Sequence, residues 1–337
     1  MWEPRKKSNP IWFIKKSRNI KANAMAKNRK SARRKLLYLL FRQNWNIGVV
    51  KSPIYEVAGL SGELKQKLAL DSIVWMKEKR GEFRADPFPA VKQTKDGVRI
   101  FHEAYEWKTA RGRIDYIDFS TDHGFGEPVE SMVSAGHLSY PFVFENSGVV
   151  GYIPEHSSNR DVSFYPVDSE GIPKEKIEMI PNCGLIDSTI FRKDGLLWLF
   201  ATTSGATHNS ELHIYYSKSL KGPWIEHEAN PVKVDAGSAR PAGSVFVHQN
   251  CLFRPSQDCS AHYGSGIIIN KIEILNKENF REQAVSEIRL GSDHRYDFGL
   301  HTLSSAGDFT VLDGARLESK MHPALDFAQH LIRKPYD

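Results

Sequence analysis

Residues Ile186–Thr203 read IDSTIFRKDGLLWLFATT: a polar opening residue, an apolar run, a Lys-Asp-Gly turn, a second apolar run and a polar close. Two short apolar runs around a tight turn spell an antiparallel hairpin. The phrase recurs at Ala85–Glu106 (ADPFPAVKQTKDGVRIFHEAYE), Ser139–Glu155 (SYPFVFENSGVVGYIPE) and Ala239–Asp258 (ARPAGSVFVHQNCLFRPSQD). A degenerate copy follows at Tyr296–Gly314 (YDFGLHTLSSAGDFTVLDG). The opening residues Asp86, Tyr140, Asp187 and Arg240 are spaced 54, 47 and 53 apart, with Phe298 a further 58 on. A period near 50 is that of a four-stranded propeller blade. Third-strand runs repeat too, at Gly112–Phe119, Val162–Val167, Leu212–Ser217 and Gly266–Ile272. The expected fold is all-β: a five-bladed β-propeller preceded by a basic tail and one short helix.

Working outward, the propeller is placed at residues 82–318, with a C-terminal tail at 319–337. Residues 45–81 are read as a strand (Trp45–Val50) and a helix from about Ser61 to Lys79 that pack on the propeller. Leu64, Leu68 and Trp75 recur there at helical spacing, and Gly81 ends the helix. Residues 1–44 are expected to form a flexible basic arm. Met1–Leu37 hold thirteen Lys/Arg against one acid, Glu3, a net charge of +12. The other 300 residues carry −6, so the overall +6 belongs to the arm and the body is mildly acidic. An arm this basic suits contact with anionic surfaces.

No stretch reaches the roughly 18 apolar residues of a membrane span, and the early apolar runs are too short for a secretory signal. Three cysteines, Cys183, Cys251 and Cys259, have the wrong parity for a disulfide framework and no zinc-site spacing. Together these features point to a cytoplasmic protein without a transmembrane segment.

Blade geometry turns the repeat into a statement about function. The start of a hairpin's first strand and the end of its second lie at one edge. In a propeller the first strands line the axis, so opening and closing residues surround one mouth. They are Asp86 with Glu103, Tyr140 with Glu155, Asp187 with Thr203, and Arg240 with Asp258, joined by His301 at the start of blade five. A ring of carboxylates suits glycoside chemistry, in which one acid protonates the leaving oxygen and another activates water or attacks the anomeric carbon. Crowding raises at least one of their pKa values and keeps a proton available near neutrality. No cofactor is expected, and no dedicated metal ligands; a structural cation on the axis, with His301 contributing, is the one ion the pattern accommodates.

The run LHIYYSKSLKGPWIEHEANPV from Leu212 resembles the third strand and linker of the glycosidase propellers: arabinanases, β-xylosidases, levansucrases and invertases. That resemblance implies an Asp base or nucleophile in a DP step, met by Asp86, and a second Asp about a hundred residues on, met by Asp187. The acid Glu it implies at the start of blade four is replaced by Ser238-Ala239-Arg240-Pro241. The motifs WNIGVV, ADPFPA, YPFVFENSGVVGYIPE, SARPAG and LFRPSQDCSAHYGSGI together look like the N-terminal propeller of plant glucosamine inositolphosphorylceramide transferases, over about Trp45 to Arg316. This likeness implies a glycan connection. Within it, RPSQDCS carries Arg254, Gln257 and Asp258, and YIPEHS carries Glu155. Arg254 is read as a bidentate holder of a sugar carboxylate or phosphate, and Gln257 as a hydroxyl binder. Tyr140, Tyr152 and Tyr263 offer faces for a pyranose ring.

Two readings follow. In the first, the protein is a glycosidase-like hydrolase with Asp86, Glu155 and Asp187 catalytic. Glu103, Tyr140, Arg240, Arg254, Gln257, Asp258 and His301 then bind substrate. In the second it is a non-catalytic glycan- or sugar-nucleotide-binding module that partners a separate glycosyltransferase. The intact carboxylate ring favours the first, and the missing Glu of blade four the second.

Overall fold

The computed structural model describes residues 39–91, 97–156 and 159–320. Most of the basic arm and the C-terminal tail lie outside the described residues. Residues 45–316 form one unit. Residues 39–44 and 317–320 belong to another, where Lys320 N donates to the Leu40 carbonyl at 2.9 Å and Arg42 Nε to Glu318 at 2.8 Å.

Five antiparallel sheets follow the sequence repeat. Blade one runs Glu82–Val91, Gly97–Glu106 and Arg111–Ser120, with Gly124–Phe125 and Val129–Met132 both paired to its third strand. Blade two is Leu138–Asn146, Val149–His156, Val162–Pro166 and Ile177–Ile180. Blade three is Leu185–Lys193, Leu196–Thr203 and Glu211–Ser217, edged by Ile225–Glu226 and Lys233–Val234. Blade four is Phe246–His248, Cys251–Asp258, Gly266–Leu275 and Phe280–Ile288.

Blade five closes the ring with both halves of the sequence. Its order is Leu303–Ala306, Phe309–Ser319, Phe41–Val50 and Val74–Trp75. The strand at Trp45–Val50, set outside the propeller by the sequence reading, is therefore the third strand of the last blade. The helix also differs from expectation. It spans only Glu63–Asp71 after a four-residue turn of helix at Ile54–Val57. Gly62, not Ser61, sits at its N-cap, with no side-chain cap bond. Ala69 and Leu70 face the core, while Leu64 and Leu68 are exposed. Trp75 is claimed by the edge strand instead, where its ring meets Tyr296 at 4.4 Å. Tertiary pairing has overridden helical spacing here.

Inward-facing aromatics and β-branched residues fill the wedges between blades. Phe101, Tyr116, Tyr152 and Tyr165 form one such cluster, and Ile47, Val49, Val98, Ile100 and Val311 another. Each side chain of this size contributes about 1.5–3 kcal/mol by leaving water. The face periodicity that drives this burial also aims the strand ends at the axis.

Candidate functional site

At the start of the first three blades the ladder slips, between Ala85 and Phe88, Ser139 and Phe142, and Ile186 and Thr189. In each slip one residue takes the left-handed backbone region: Asp86 at φ 52°, Tyr140 at 45° and Asp187 at 53°. A non-glycine residue there costs roughly 1–2 kcal/mol. The bulge re-aims its side chain. These three are the opening residues singled out by the repeat.

Asp86 is buried. Its Oδ1 accepts from Thr302 Oγ1 at 2.8 Å and its Oδ2 from Tyr140 N at 3.2 Å. His301 Nε2 lies 3.8 Å from Oδ1. Burial pushes the Asp86 carboxyl up to about 6; the His301 charge opposes the rise, and the negative fields of Asp187 and Asp313 add to it. Asp187 Oδ2 accepts from Arg240 Nε at 2.6 Å and from Gln257 Nε2 at 3.0 Å. Arg240 also reaches Asn209 Oδ1 at 3.1 Å and covers the Tyr263 ring at 5.0 Å. Its charge is thus taken up inside the protein. Glu155 shares a hydrogen bond with Asp187, and burial together with the Asp187 charge drives its carboxyl up to about 8. Glu103 is raised well above its usual range by burial and by the charges of Asp86 and Glu155. His137 Nε2 lies 3.5 Å from Glu103 Oε1. Burial and mutual repulsion thus raise Asp86, Glu103 and Glu155 together at this mouth.

Two groups that matter most to this arrangement were not singled out from the sequence. Asp313 is fully buried and accepts from Asp86 N at 3.1 Å, His301 N at 2.9 Å and Thr302 N at 3.0 Å. It also lies 2.5 Å from His301 Nδ1. Trp45 stacks on the His301 ring at 3.9 Å with 12° between planes. Asp313 is the closing residue of the fifth copy, so the rule that found Glu103 and Glu155 also finds it. Trp45 carried no such signal.

Several expected roles change. Arg254 is fully buried and donates to Glu282 at 2.9 and 2.5 Å and to the carbonyls of Ser238 and Ala239 at 2.6 and 3.2 Å. It braces blade four and presents no free fork to a ligand. Tyr140 is also fully buried, its hydroxyl joined to Thr189 at 2.9 Å and to Gly243 N at 2.8 Å. It plugs the wall between blades two, three and four instead of offering a face. Tyr152 is buried likewise, with its hydroxyl 3.0 Å from Ser131. Asp258 is held by Arg289 and by Ser260 N at 2.8 Å. Those bonds outweigh burial and keep its carboxyl low, apart from the raised group. Tyr263, half-buried beside Arg240 and His301, remains the tyrosine at the mouth.

Asp86, His301 and Asp313 bring ligand-type atoms within 4.8 Å of one another. Both Asp313 oxygens already accept two donors each, and His301 Nδ1 points at Asp313. With Nδ1 turned to Asp313, Nε2 is the ring nitrogen that faces Asp86, the orientation in which a histidine tied to a carboxylate can ligate a cation.

Residues 72–297 match the family described as "Glucosamine inositolphosphorylceramide transferase 1, N-terminal". The glucosamine inositolphosphorylceramide transferase 1 of Oryza sativa subsp. japonica is 34% identical over 253 residues, covering 70% of this chain and 34% of that protein. Its counterpart in Arabidopsis thaliana is 32% identical over 252 residues, covering 70% and 33%. The chain thus spans about a third of the length of these curated relatives. Among solved structures, a GH43 β-1,3-galactosidase with galactodeoxynojirimycin aligns at a TM-score of 0.51 and 11% identity, over 63% of this chain and 80% of that one. An exo-β-1,3-galactanase from Clostridium thermocellum aligns at 0.51 and 9%, over 64% and 54%. Likeness at such identity speaks for the propeller fold alone. The family match covers most of the chain, and on it the protein belongs to the glucosamine inositolphosphorylceramide transferase 1, N-terminal, family.

Proposed function

We propose that the protein is a glycan-processing β-propeller whose axial mouth hydrolyses a glycosidic bond, with Glu155 as general acid and Asp86 as base or nucleophile. One observation carries the reading: two carboxyls at one mouth, the buried Asp86 held near 6 and the half-buried Glu155 near 8. Environments that push two acids apart assign them opposite roles at neutral pH. Glu155 keeps its proton and delivers it to the leaving oxygen. Asp86 is ionised and withdraws a proton from water or attacks the anomeric carbon. Asp187, pinned by Arg240 and Gln257, holds the hydrogen bond that orients Glu155. The transferase relatives, whose names carry glucosamine, agree with a carbohydrate ligand.

The test is an aryl-glycoside panel with the full chain. Asp86→Asn is expected to cut turnover at least about a hundredfold while sparing affinity, the lower end of what a positioned base supplies. Glu155→Gln is expected to hurt most with poor leaving groups. Full turnover by both variants on a confirmed substrate overturns the assignment.

Arg240 favours a second reading. It stands where the likeness to glycosidases places an acid Glu, and the transferase relatives are far longer than this chain. On that reading the mouth binds a glycan or sugar nucleotide for a separate glycosyltransferase. Sugar binding that Arg240→Ala abolishes, with no glycoside ever turned over, selects it.

A further inference from the structure

Asp86, Asp187 and Asp313 all accept hydrogen bonds at the mouth. Glu103, the closing residue of blade one, differs from them. Its side chain is 7% exposed, and no N–H or O–H group of the described residues donates to its carboxyl. His137 Nε2 lies 3.5 Å from Oε1, too far for a good hydrogen bond. Nδ1 of that ring accepts the Gly112 N–H at 2.9 Å, which puts the lone pair on Nδ1 and the ring proton on Nε2, the side toward Glu103. Gly112 makes the room. A Cβ there would lie 2.5 Å from Glu103 Oε1, 2.9 Å from His137 Cε1 and 2.3 Å from the Leu138 carbonyl oxygen. A buried carboxyl with no donor costs stability, so packing does not account for Glu103.

Aromatic rings continue from that carboxyl along the same blade. Tyr105 follows Glu103 by two residues and so projects from the same face of the strand. Its ring lies parallel to that of Phe83, its cross-strand neighbour, at 4.6 Å and 11°. Trp107 stands edge-on to both at 5.2 Å, and His137 meets Tyr105 edge-on at 5.9 Å. All four rings are half-buried. A few polar groups beside an aromatic wall make a small-molecule pocket. A pyranose presents the matching pair of surfaces, hydroxyls around its edge and C–H groups on its faces. The strongest fields at Glu103 come from Asp86, Glu155, Asp313 and Asp187, all acidic, so a second anion is unwelcome there.

We infer that Glu103, His137 and the rings of Phe83, Tyr105 and Trp107 form a subsite for a neutral pyranose at the seam of blades one and two. Glu103 and His137 take neighbouring hydroxyls of the sugar, and its C–H face rests on the aromatic wall. A uronate or a phosphorylated sugar is rejected at this position. The inference rests on the carbohydrate reading of the mouth and not on hydrolysis.

The experiment is a saturation-transfer NMR titration of the full-length protein with the methyl β-glycosides of glucose, galactose and mannose, and with that of glucuronate. At least one neutral glycoside is expected to bind, and the glucuronide at least about tenfold more weakly. Glu103→Met and Tyr105→Leu are each expected to weaken the neutral sugar about tenfold or more. Glu103→Met is also expected to melt no lower than wild type, because it removes a buried acid that has no donor. Binding by none of the neutral glycosides overturns the inference, as does a glucuronide bound equally well. So does full affinity in either variant, or a Glu103→Met protein that melts well below wild type or fails to fold, which is the mark of a structural acid. If Tyr105→Leu does not fold, Glu103→Met and the wild-type comparison decide. Failure of the glycosidase reading looks different. Sugar binding lost in Glu103→Met, with no aryl glycoside hydrolysed, keeps the subsite and ends the hydrolase; hydrolysis with a KM that Glu103→Met leaves unchanged does the reverse.

Discussion

At the residue scale the account turns on where protons sit. Asp86 must be ionised, which holds above about 6, and Glu155 protonated, which holds below about 8. A bell-shaped kcat/KM profile with its maximum near 7 follows, its two limbs belonging to the coupled pair. Glu155→Gln is expected to flatten the alkaline limb; an unchanged limb in that variant contradicts the assignment. Stability obeys the same linkage. A carboxyl whose folded pKa lies above its unfolded value contributes stability that is fully present below the unfolded value and is lost as pH rises through the folded one. For Glu155 that window runs from about 4.5 to about 8. Glu155→Gln should therefore melt at least about 2 °C above wild type at pH 8, with the gain vanishing toward pH 5. Thermal scans across that range check both the sign and the window.

At the element scale, blade four shows what its strands demand. Gly243 sits at φ 123°, and a Cβ there would lie 1.8 Å from the Leu303 carbonyl oxygen. Gly243→Ala is expected to part blades four and five at a loss above about 2 kcal/mol, read by denaturant unfolding. Arg254→Met leaves Glu282 buried with the Lys233 ammonium beside it at 2.8 Å, and should destabilise by about 3 kcal/mol without changing sugar affinity in the folded protein. A selective loss of affinity would restore the ligand role that the sequence suggested. That suggestion was avoidable, because Arg254 and Gln257 are three residues apart on one strand and so project from opposite faces. Gln257 reaches Asp187 and Arg254 reaches Glu282. Tyr140 was harder to read. Its type fits a sugar platform as well as an axial plug, and only its bonds to Thr189 and Gly243 separate the two.

At the scale of the whole molecule, the repeat made the blades legible because each hairpin carries its own turn chemistry. Asp86, Glu103, Glu155 and Asp187 were legible because strand ends obey one rule in every blade. Blade five was only half visible. Its outer strands come from Phe41–Val50 and Val74–Trp75, more than 200 residues before Leu303, and no local signal marks a pairing over that span. Trp45, riding on that strand, was missed as a site residue for the same reason. Removing residues 1–50 should abolish cooperative folding, since blade five then loses its third strand, Val74–Trp75 loses its pairing partner and His301 its stacking partner; a truncated chain that still unfolds in one sharp transition contradicts the closure. The central claim is that one mouth sets an ionised Asp86 against a protonated Glu155 near neutral pH. It is tested most directly by a carboxyl 13C titration of the protein labelled at Asp and Glu side chains, with Asp86→Asn and Glu155→Gln as assignments. The account predicts one carboxyl titrating near 6 that disappears with Asp86→Asn and one near 8 that disappears with Glu155→Gln. Both groups titrating at about 4, as free side chains do, would contradict it.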